Sequence, residues 1–487
     1  MSDNRRKTFK GLSSQTIITI TMGMLGIAYF SIMSRLLTQE DFGYFAIITA
    51  ITSIFASLTE AGLGAAVIQC KDANTAYVHT ALSLSIILGI IMGGCLFCAS
   101  SFFSDMMLKS DTLIWGYRIM SFSLILYSIN SVGRATIMKK LKFLQYGIYS
   151  ILAYGLSCII GILMAYYGYG YYSTIAAMFS HQLFLSFFLF GSNVSLIGFC
   201  IDCRYVKRIL SYGGWLTGSV IVRNISHQID KLITTSWIPV SMLGAYNRPA
   251  GFISEITGHL NGIFDTILFP ILSGINDDYQ KINSAYEKTV SLITIFSVFM
   301  TGIFVLGAEA IINIFLGKKW VYLTGIFQII SLSIIFLCYG RLADCFFRSL
   351  GIVKSFFYTR CCVFVCTCLC VYLGCQYGIR GLAIGLVFSR FADTFIKIIF
   401  LHRHIKLPWF SFYETLLKGC FIPFALLVMC YVIMLNLTYG CVISTTLFVV
   451  CIVCVGTCCP KWLGDIYYND IYVPINNKLR ILLHQSK

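Results

Sequence analysis

Ionisable side chains recur at helical spacing inside long apolar segments of this chain. One set is spaced i, i+4, i+7 and i+8, which is a single helix face: Arg223, His227, Asp230 and Lys231. Arginine suits an anionic group, because its guanidinium pairs with phosphate oxygens through two parallel hydrogen bonds and keeps its charge. Carboxylates between the cations could accept hydrogen bonds from sugar hydroxyls or carry a coupling proton or sodium ion.

Three later segments carry similar faces. They are Arg248, Glu255 and His259 at i, i+7 and i+11; Arg341, Asp344 and Arg348 at i, i+3 and i+7; and Arg390, Asp393 and Lys397 at that same spacing. An ionised side chain at the centre of a bilayer costs about 2.5–3.5 kcal/mol. These faces are therefore predicted to line a water-filled cavity or to pair with one another, and both interpretations remain open. Pairs such as Arg390–Asp393 would only orient the helices.

These positions give two sets of predicted site residues. The substrate-binding set is Arg223, Lys231, Arg248, Arg390 and Glu255. The ion-coupling candidates are Glu60, Asp230, Asp265, Asp344 and Asp393. No cofactor is expected apart from a coupling Na⁺ or H⁺. A metal site is not expected either, because most of the 21 cysteines lie in apolar runs without polar partners that could orient metal ligands.

The composition indicates which elements carry these residues. Of 487 residues, 58% are hydrophobic and 11% are charged, and the mean hydropathy is +0.81. Soluble domains have about 25% charged residues, so lipid must be the solvent for most of this chain. The apolar runs predict an all-α, polytopic membrane protein with about 14 transmembrane helices.

Charged loops predict the orientation in the membrane. Arg5, Arg6 and Lys7 precede the apolar run 17–33, which indicates an uncleaved first helix with its basic tail in the cytoplasm. Later loops rich in lysine and arginine alternate with poor ones, as the positive-inside rule requires for an even number of spans. Both termini are therefore predicted to lie in the cytoplasm, and the membrane to be the cytoplasmic (inner) membrane.

A weak internal repeat predicts the domain organisation. Tyr167-Gly168 and Tyr377-Gly378 precede similar segments, and Phe42-Gly43 corresponds to Leu243-Gly244, both at offsets of about 200 residues. Repeats of six spans keep their orientation, so the halves should be related by a pseudo-twofold axis along the membrane normal. The predicted parts are two six-helix lobes, two additional helices and a cytoplasmic tail, at residues 1–200, 201–408, 409–460 and 461–487.

Several functional classes lack support in the sequence. HExxH, Walker A and dinucleotide-binding motifs are absent, as is any Asp-x-Asp pair, so no enzyme activity is expected. The formal net charge of +16 is spread over short loops rather than gathered in a basic domain. Contact with anionic membrane lipid explains this charge better than nucleic acid does.

Two stretches resemble the bacterial Wzx-type flippases of the multidrug/oligosaccharidyl-lipid/polysaccharide exporter superfamily. The first is SRLLTQEDFGYF followed by LTEAGLGAAVIQ, within residues 34–69. The second is NISHQIDKLITTSWIPVSMLGAYNRPAGF at 224–252, followed by LFPILSGI at 268–275. The resemblance implies two six-helix lobes that form a V around a cavity, with two extra helices.

The resemblance also implies a cargo and a mechanism. The cargo would be an undecaprenyl-pyrophosphate-linked oligosaccharide for lipopolysaccharide O-antigen, capsule or exopolysaccharide, moved between leaflets by alternating access that is coupled to an ion gradient. Polysaccharide polymerase machinery is a further candidate partner. Related lipid II flippases use arginines and a carboxylate near their first two spans, and Arg35, Asp41 and Glu60 fall in comparable motifs. Arg35 therefore joins the substrate-binding candidates.

Two other hypotheses compete with lipid-linked oligosaccharide transport. A cation-coupled exporter of small drugs, from the same superfamily, would have a cavity dominated by carboxylates and apolar walls, whereas arginine and lysine are prominent here. A membrane-embedded glycan-processing enzyme would need a catalytic constellation and a large external loop, and the sequence offers neither.

Overall fold

The computed structural model is predominantly helical in the residues that it describes. It contains no strand within these residues, so the predicted all-α class is confirmed. In lipid, a helix satisfies its backbone hydrogen bonds internally, which explains why so apolar a chain adopts this form. The described residues are 3–60, 63–70, 74–108, 111–140, 142–191, 198–202, 205–206, 214–273, 279–405, 425–431 and 440–458.

The chain divides into two compact units. The first comprises Met1–Ile263 and Phe356–Gly385, and the second comprises Phe264–Ser355 and Leu386–Lys487. The lobes at 1–200 and 201–408 stay a prediction, as do the appended segments 409–460 and 461–487, most of which lie outside the described residues.

The first ten helices all begin in the first unit. They are α1 (Asp3–Leu36), α2 (Gln39–Glu60), α3 (Leu63–Gln69), α4 (Thr75–Cys98), α5 (Ser100–Leu108), α6 (Ile114–Lys139), α7 (Phe143–Tyr166), α8 (Tyr172–Gly191), α9 (Gly214–Thr234) and α10 (Val240–Ser273). Within this unit α7 packs along α8, α4 along α6, and α9 against α2.

The remaining helices follow in chain order, mostly in the second unit, although Val353–Cys375 lies largely in the first unit and Gly378–Ile405 begins there. They are α11 (Tyr279–Leu306), α12 (Ala308–Ile311), α13 (Thr324–Ser331), α14 (Ser333–Ser349), α15 (Val353–Cys375), α16 (Gly378–Ile405) and α17 (Gly440–Cys458). In this unit α11 packs on α14 and α17, and the rings of Phe299 and Phe448 stack with centroids 6.4 Å apart.

Eight helices among the described residues are long and apolar enough to cross a membrane, and the bent pair Lys318–Ser331 and Ser333–Ser349 could add a ninth. The chain is thus a multi-pass membrane protein, while fourteen spans remain a prediction. Three further helices reach spanning length but carry several charges: α9, α10 and α16. The sequence assigns most of these charged side chains to a cavity. A test based on hydropathy alone therefore does not count these helices as membrane spans.

Glycine permits a close approach between α2 and α10. A Cβ atom on Gly43 would collide with the backbone oxygen of Val240, and one on Gly244 would lie 2.7 Å from the backbone nitrogen of Gly43. Both residues belong to the first unit. Small residues at such points let helix backbones pack without intervening side chains. The two glycines that the internal repeat aligns thus lie against each other.

Candidate functional site

Two adjoining cavities lie within the first unit. Cavity A, of about 310 Å³, is lined by α1, α2, α7, α8, α9 and α10 and contains Arg248 and Glu255. Cavity B, of about 460 Å³, is lined by α2, α6, α8 and α9 and contains Gln182 and Asn224. Both have Lys231 in their lining, together with Phe45, Thr49 and Met178, so the two spaces meet at these four residues.

Aromatic rings and three charged side chains define cavity A. Its aromatic lining consists of Tyr29, Phe30, Phe42, Phe45 and Tyr154. Lys231, Arg248 and Glu255 give it a formal charge of about +1 when all three are ionised. A cavity with this balance favours an anionic guest over a cationic one.

Arg248 is buried and is held by α1 and α2. Its Nε donates to Ser34 Oγ at 2.8 Å and its Nη2 donates to the backbone oxygen of Phe30 at 2.5 Å. Its guanidinium carbon lies 3.4 Å from the ring centroid of Phe30 and 3.8 Å from that of Phe42. These contacts join three helices through one side chain, in addition to its place in the lining of cavity A.

Glu255 lies two helical turns beyond Arg248 on α10 and faces α1. A Cβ atom on Gly26 would come within 2.7 Å of Glu255 Oε1, so glycine at this position makes room for the carboxylate. Helical periodicity had placed Arg248 and Glu255 on one face, and the structure brings both into the lining of cavity A. The Gly26 contact was not apparent from the sequence, because it joins helices more than 200 residues apart.

Lys231 is the residue where cavities A and B meet. Its ammonium donates one hydrogen bond, to Gln228 Oε1 at 2.8 Å, and no other bond to the described residues is seen. An ammonium has three donors, so this cation retains hydrogen-bonding capacity for a guest. The neighbouring Asp230 instead accepts from the Lys231 backbone N–H at 2.9 Å and from the Tyr246 hydroxyl at 3.3 Å, which connects α9 with α10.

Hydroxyl and amide groups dominate cavity B. Thr52 and Ser123 each donate their hydroxyl proton to a backbone oxygen of their own helix, at 2.8 and 2.6 Å. Such hydroxyls can still accept hydrogen bonds from a guest. No carboxylate occurs among the residues that line cavity B.

A buried amide network supports one wall of cavity B. Asn130 Nδ2 donates to Gln182 Oε1 at 3.0 Å and to the Gln182 backbone oxygen at 2.9 Å, while Ser186 Oγ donates to Asn130 Oδ1 at 2.8 Å. Asn130 is only 4% exposed. The network therefore fixes the orientation of the Gln182 amide. Sequence reasoning missed it, since neutral amides in an apolar run give no charge signal.

The second unit holds a separate buried ion cluster. Lys397 Nζ lies 2.8 Å from Asp393 Oδ2 and 3.1 Å from Asp344 Oδ1, and Lys397 is 2% exposed. The sequence placed these residues on two helical faces without pairing them, and α14 and α16 supply one carboxylate each. Two carboxylates around one ammonium leave a formal excess of one negative charge.

The other predicted site residues have different environments. Arg223 and Arg390 are half-buried, on α9 and α16, outside the lining of cavities A and B. Arg35 is exposed in the last turn of α1. Glu60 ends α2 and Asp265 lies in α10, and the positions of these two side chains are outside the described part of the chain.

Asp41 has a structural role at the start of α2. Its Oδ2 accepts from the backbone N–H and the hydroxyl of Thr38, at 2.9 and 2.7 Å, and its Oδ1 accepts from the backbone N–H of Tyr171 at 2.9 Å. A carboxylate near a helix N-terminus is also favoured by the helix dipole. Asp41 therefore anchors the turn between α1 and α2 to the segment that precedes α8.

Among the described residues, no group of three or more histidine, cysteine or acidic side chains is arranged to hold a metal ion.

Comparison with protein families gives one match over most of the chain. Residues 32–324 match a family described as polysaccharide biosynthesis protein. This segment includes α2 through α11 and contains the whole lining of cavity B and nearly all of that of cavity A.

Curated relatives share about one residue in five with this chain. The lipopolysaccharide biosynthesis protein WzxC of Escherichia coli (strain K12) is 22% identical over 433 residues, which cover 87% of this chain and 86% of that protein. The succinoglycan biosynthesis transport protein ExoT of Rhizobium meliloti (strain 1021) is 22% identical over 64% of this chain and 63% of its own length. A putative O-antigen transporter of Shigella flexneri is 21% identical over 74% of this chain and 90% of its own length.

Solved structures share the fold. The lipid II flippase MurJ in an inward closed conformation superposes with a TM-score of 0.72 at 14% identity, covering 94% of this chain and 99% of that one. An inward-facing multidrug resistance transporter of the MATE family, from the MOP superfamily, gives a TM-score of 0.64 at 16% identity, covering 80% and 98%. At these identities the likeness establishes the fold alone.

Proposed function

Because this chain belongs to the polysaccharide biosynthesis protein family, we propose that it is a flippase for lipid-linked oligosaccharides. Its cargo is an undecaprenyl-pyrophosphate-linked repeat unit for lipopolysaccharide O-antigen, capsule or exopolysaccharide. The protein moves this unit from the inner to the outer leaflet of the cytoplasmic (inner) membrane. Relatives named for lipopolysaccharide biosynthesis and for succinoglycan biosynthesis transport, and one named as a putative O-antigen transporter, support the cargo class.

The observation that carries this proposal is the ammonium of Lys231 at the junction of two cavities. It has donors left for an anion, and it adjoins a cationic cavity on one side and a hydroxyl- and amide-lined cavity on the other. A pyrophosphate joined to a sugar presents the same two chemistries next to each other. A hydrogen bond from a charged donor to phosphate is worth about 1.5–3 kcal/mol.

Transport needs an energy source, and an ion gradient is the one we propose. Carboxylates that could take up Na⁺ or H⁺ include Asp344 and Asp393 around Lys397, with Glu60, Asp230 and Asp265 as further candidates. The two carboxylates of the Asp344–Asp393–Lys397 cluster support a cation as the coupling species. Polymerase machinery on the outer side would receive the cargo, and the two chain termini would lie in the cytoplasm.

A strain that lacks this gene tests the proposal through its surface polysaccharide. The wild-type gene should restore polysaccharide, and Lys231→Met should restore less than about a tenth of it while the protein remains in the membrane, since the anion loses its charged donor. Lys142→Met is the matched control, because Lys142 is exposed and makes no capping bond at the start of α7. Full restoration by Lys231→Met would contradict the proposed role of this lysine.

The same strain separates this function from export of small drugs. The fold shared with a multidrug transporter and the carboxylate of Glu255 in an aromatic cavity favour that second candidate. A drug exporter predicts greater susceptibility to cationic drugs with normal surface polysaccharide. A flippase predicts the opposite pattern, together with accumulation of lipid-linked repeat units in the membrane.

A further inference from the structure

We propose that the two cavities of the first unit divide the cargo, so that cavity B binds the sugar residues and Lys231 binds the adjoining anionic group. This inference rests on the proposed function and specifies where each part of the cargo binds. The anion could be a phosphate or a pyrophosphate, whose chemistry toward an ammonium is the same.

Cavity B has a mostly neutral polar lining, whereas cavity A contains charged side chains, and the proposed division of the cargo requires this difference. Cavity B lacks carboxylates among its lining residues, and its one lysine stands at the edge that it shares with cavity A. Its remaining polar lining is neutral or imidazole: Thr49, Thr52, Ser53, Ser57, Ser123, Tyr127, Gln182, Asn224, His227 and Gln228. Neutral hydroxyls and amides match the hydroxyls of a sugar, and the lack of acidic groups also admits acidic sugars.

Cavity B offers both acceptors and donors in fixed positions. Thr52 and Ser123 have already donated their protons to their own helices, so their oxygens are acceptors for a guest. Gln182 has its Oε1 occupied by Asn130, so its Nε2 amino group remains as the donor. Because Asn130 and Ser186 hold this amide, little orientation entropy is lost when a guest binds.

Asn224 contributes a further amide to the lining of cavity B, and within the part of the chain that the structure describes its side chain does not support a neighbouring helix through a hydrogen bond. It is half-buried on α9, two turns before Lys231, and its side-chain amide makes no hydrogen bond with the described residues. A buried or half-buried amide is favourable only when its polar atoms are satisfied. A sugar in cavity B would satisfy it. The volume of about 460 Å³ lies within the range of about 300–1,000 Å³ that is usual for ligand sites.

Binding measurements on the full chain in lipid nanodiscs test the division with two separate probes. One probe is the repeat-unit oligosaccharide released by mild acid from the producing strain's polysaccharide, and the other is inorganic pyrophosphate. Gln182→Leu and Asn224→Leu should each lower the affinity for the oligosaccharide about three- to tenfold. Each should change the affinity for pyrophosphate less than about twofold. Lys231→Met should lower the affinity for pyrophosphate at least tenfold and the affinity for the oligosaccharide less than threefold.

Gln145→Leu is the matched control for the amide substitutions. Gln145 donates to the Tyr149 hydroxyl at 2.8 Å and lines neither cavity, so both affinities should remain those of the wild type. If all three cavity variants lowered the affinity for both probes equally, the proposed division of the cargo between the cavities would be overturned, since this would indicate one undivided site. Oligosaccharide binding that is absent in the wild type, or unchanged in both amide variants, would place the sugar outside cavity B.

Failure of this inference is distinguishable from failure of the proposed function. If the wild-type gene restores surface polysaccharide while the probes contradict the division, the chain is a flippase that binds its sugars elsewhere. If the deletion strain makes normal surface polysaccharide, the proposed function itself is wrong.

Discussion

Arg248 lines a cavity and at the same time joins three helices. Its charge therefore bears on the binding of cargo, and its planar shape bears on the stability of the fold. A lysine at this position would keep the charge but lose the planar group that stacks on Phe30 and Phe42. It would also remove a donor from the hydroxyl oxygen of Ser34, whereas the backbone oxygen of Phe30 would still accept from the Ser34 hydroxyl. Stability and transport can therefore respond differently to this one substitution.

We expect Arg248→Lys to lower the free energy of unfolding by about 2–4 kcal/mol, from lost cation–π contacts and an unsatisfied acceptor. Thermal unfolding of the detergent-purified protein measures this as a lower midpoint. Arg380→Lys is the control, because Arg380 is exposed near the start of α16, and it should change the free energy by less than about 0.5 kcal/mol. An unchanged midpoint with lost transport would instead assign Arg248 to the cargo alone.

Single residues show where the sequence was informative and where it was not. Periodicity grouped Arg248 with Glu255, and both line cavity A. It could not reveal that Lys397 would pair with Asp344 as well as Asp393, since that contact joins two helices. Spacing within one helix determines which residues share a face, but the partner across the interface depends on the tertiary packing of helices distant in sequence.

Helices α2 and α10 approach each other closely at their first turns, because Gly43 and Gly244 lie in the contact. Glycine in a helix interior is about 1 kcal/mol less favourable than alanine. The energetic cost of glycine at this point is therefore offset by the close helix packing that it permits. The two positions occupy equivalent places in the weak internal repeat, and the sequence alone did not reveal that they touch.

Alanine substitutions at two glycines should have opposite effects. Gly43→Ala should lower the unfolding midpoint, since its Cβ would collide with the backbone of Val240 and overpacking costs about 1–3 kcal/mol. Gly94→Ala should leave it unchanged or raise it, because a Cβ on Gly94 would have no atom within 4 Å. A Gly43→Ala protein as stable as Gly94→Ala would show that α2 and α10 do not pack at this point.

For the whole molecule, composition was sufficient for the fold class and insufficient for the number of spans. The low charge and the long apolar runs predicted an all-α membrane protein, and this is confirmed. Fourteen spans stay a prediction, and a hydropathy criterion does not count α9, α10 and α16, which carry several charges. Charges that line a cavity are compatible with a membrane span, whereas the criterion treats every residue as facing lipid.

Reporter fusions can decide whether the number of spans is even, as fourteen spans require, or odd. With fourteen spans and a cytoplasmic N-terminus, alkaline phosphatase should be active when fused after Tyr169 and inactive after Lys142 or Lys487, because the enzyme works only outside the cytoplasm. The Tyr169 and Lys142 fusions flank α7 and thus control for expression and orientation. An active fusion at Lys487, with the other two as expected, would require an odd number of spans. The C-terminus would then lie on the outer side, and the two-lobe arrangement with two appended helices would be wrong.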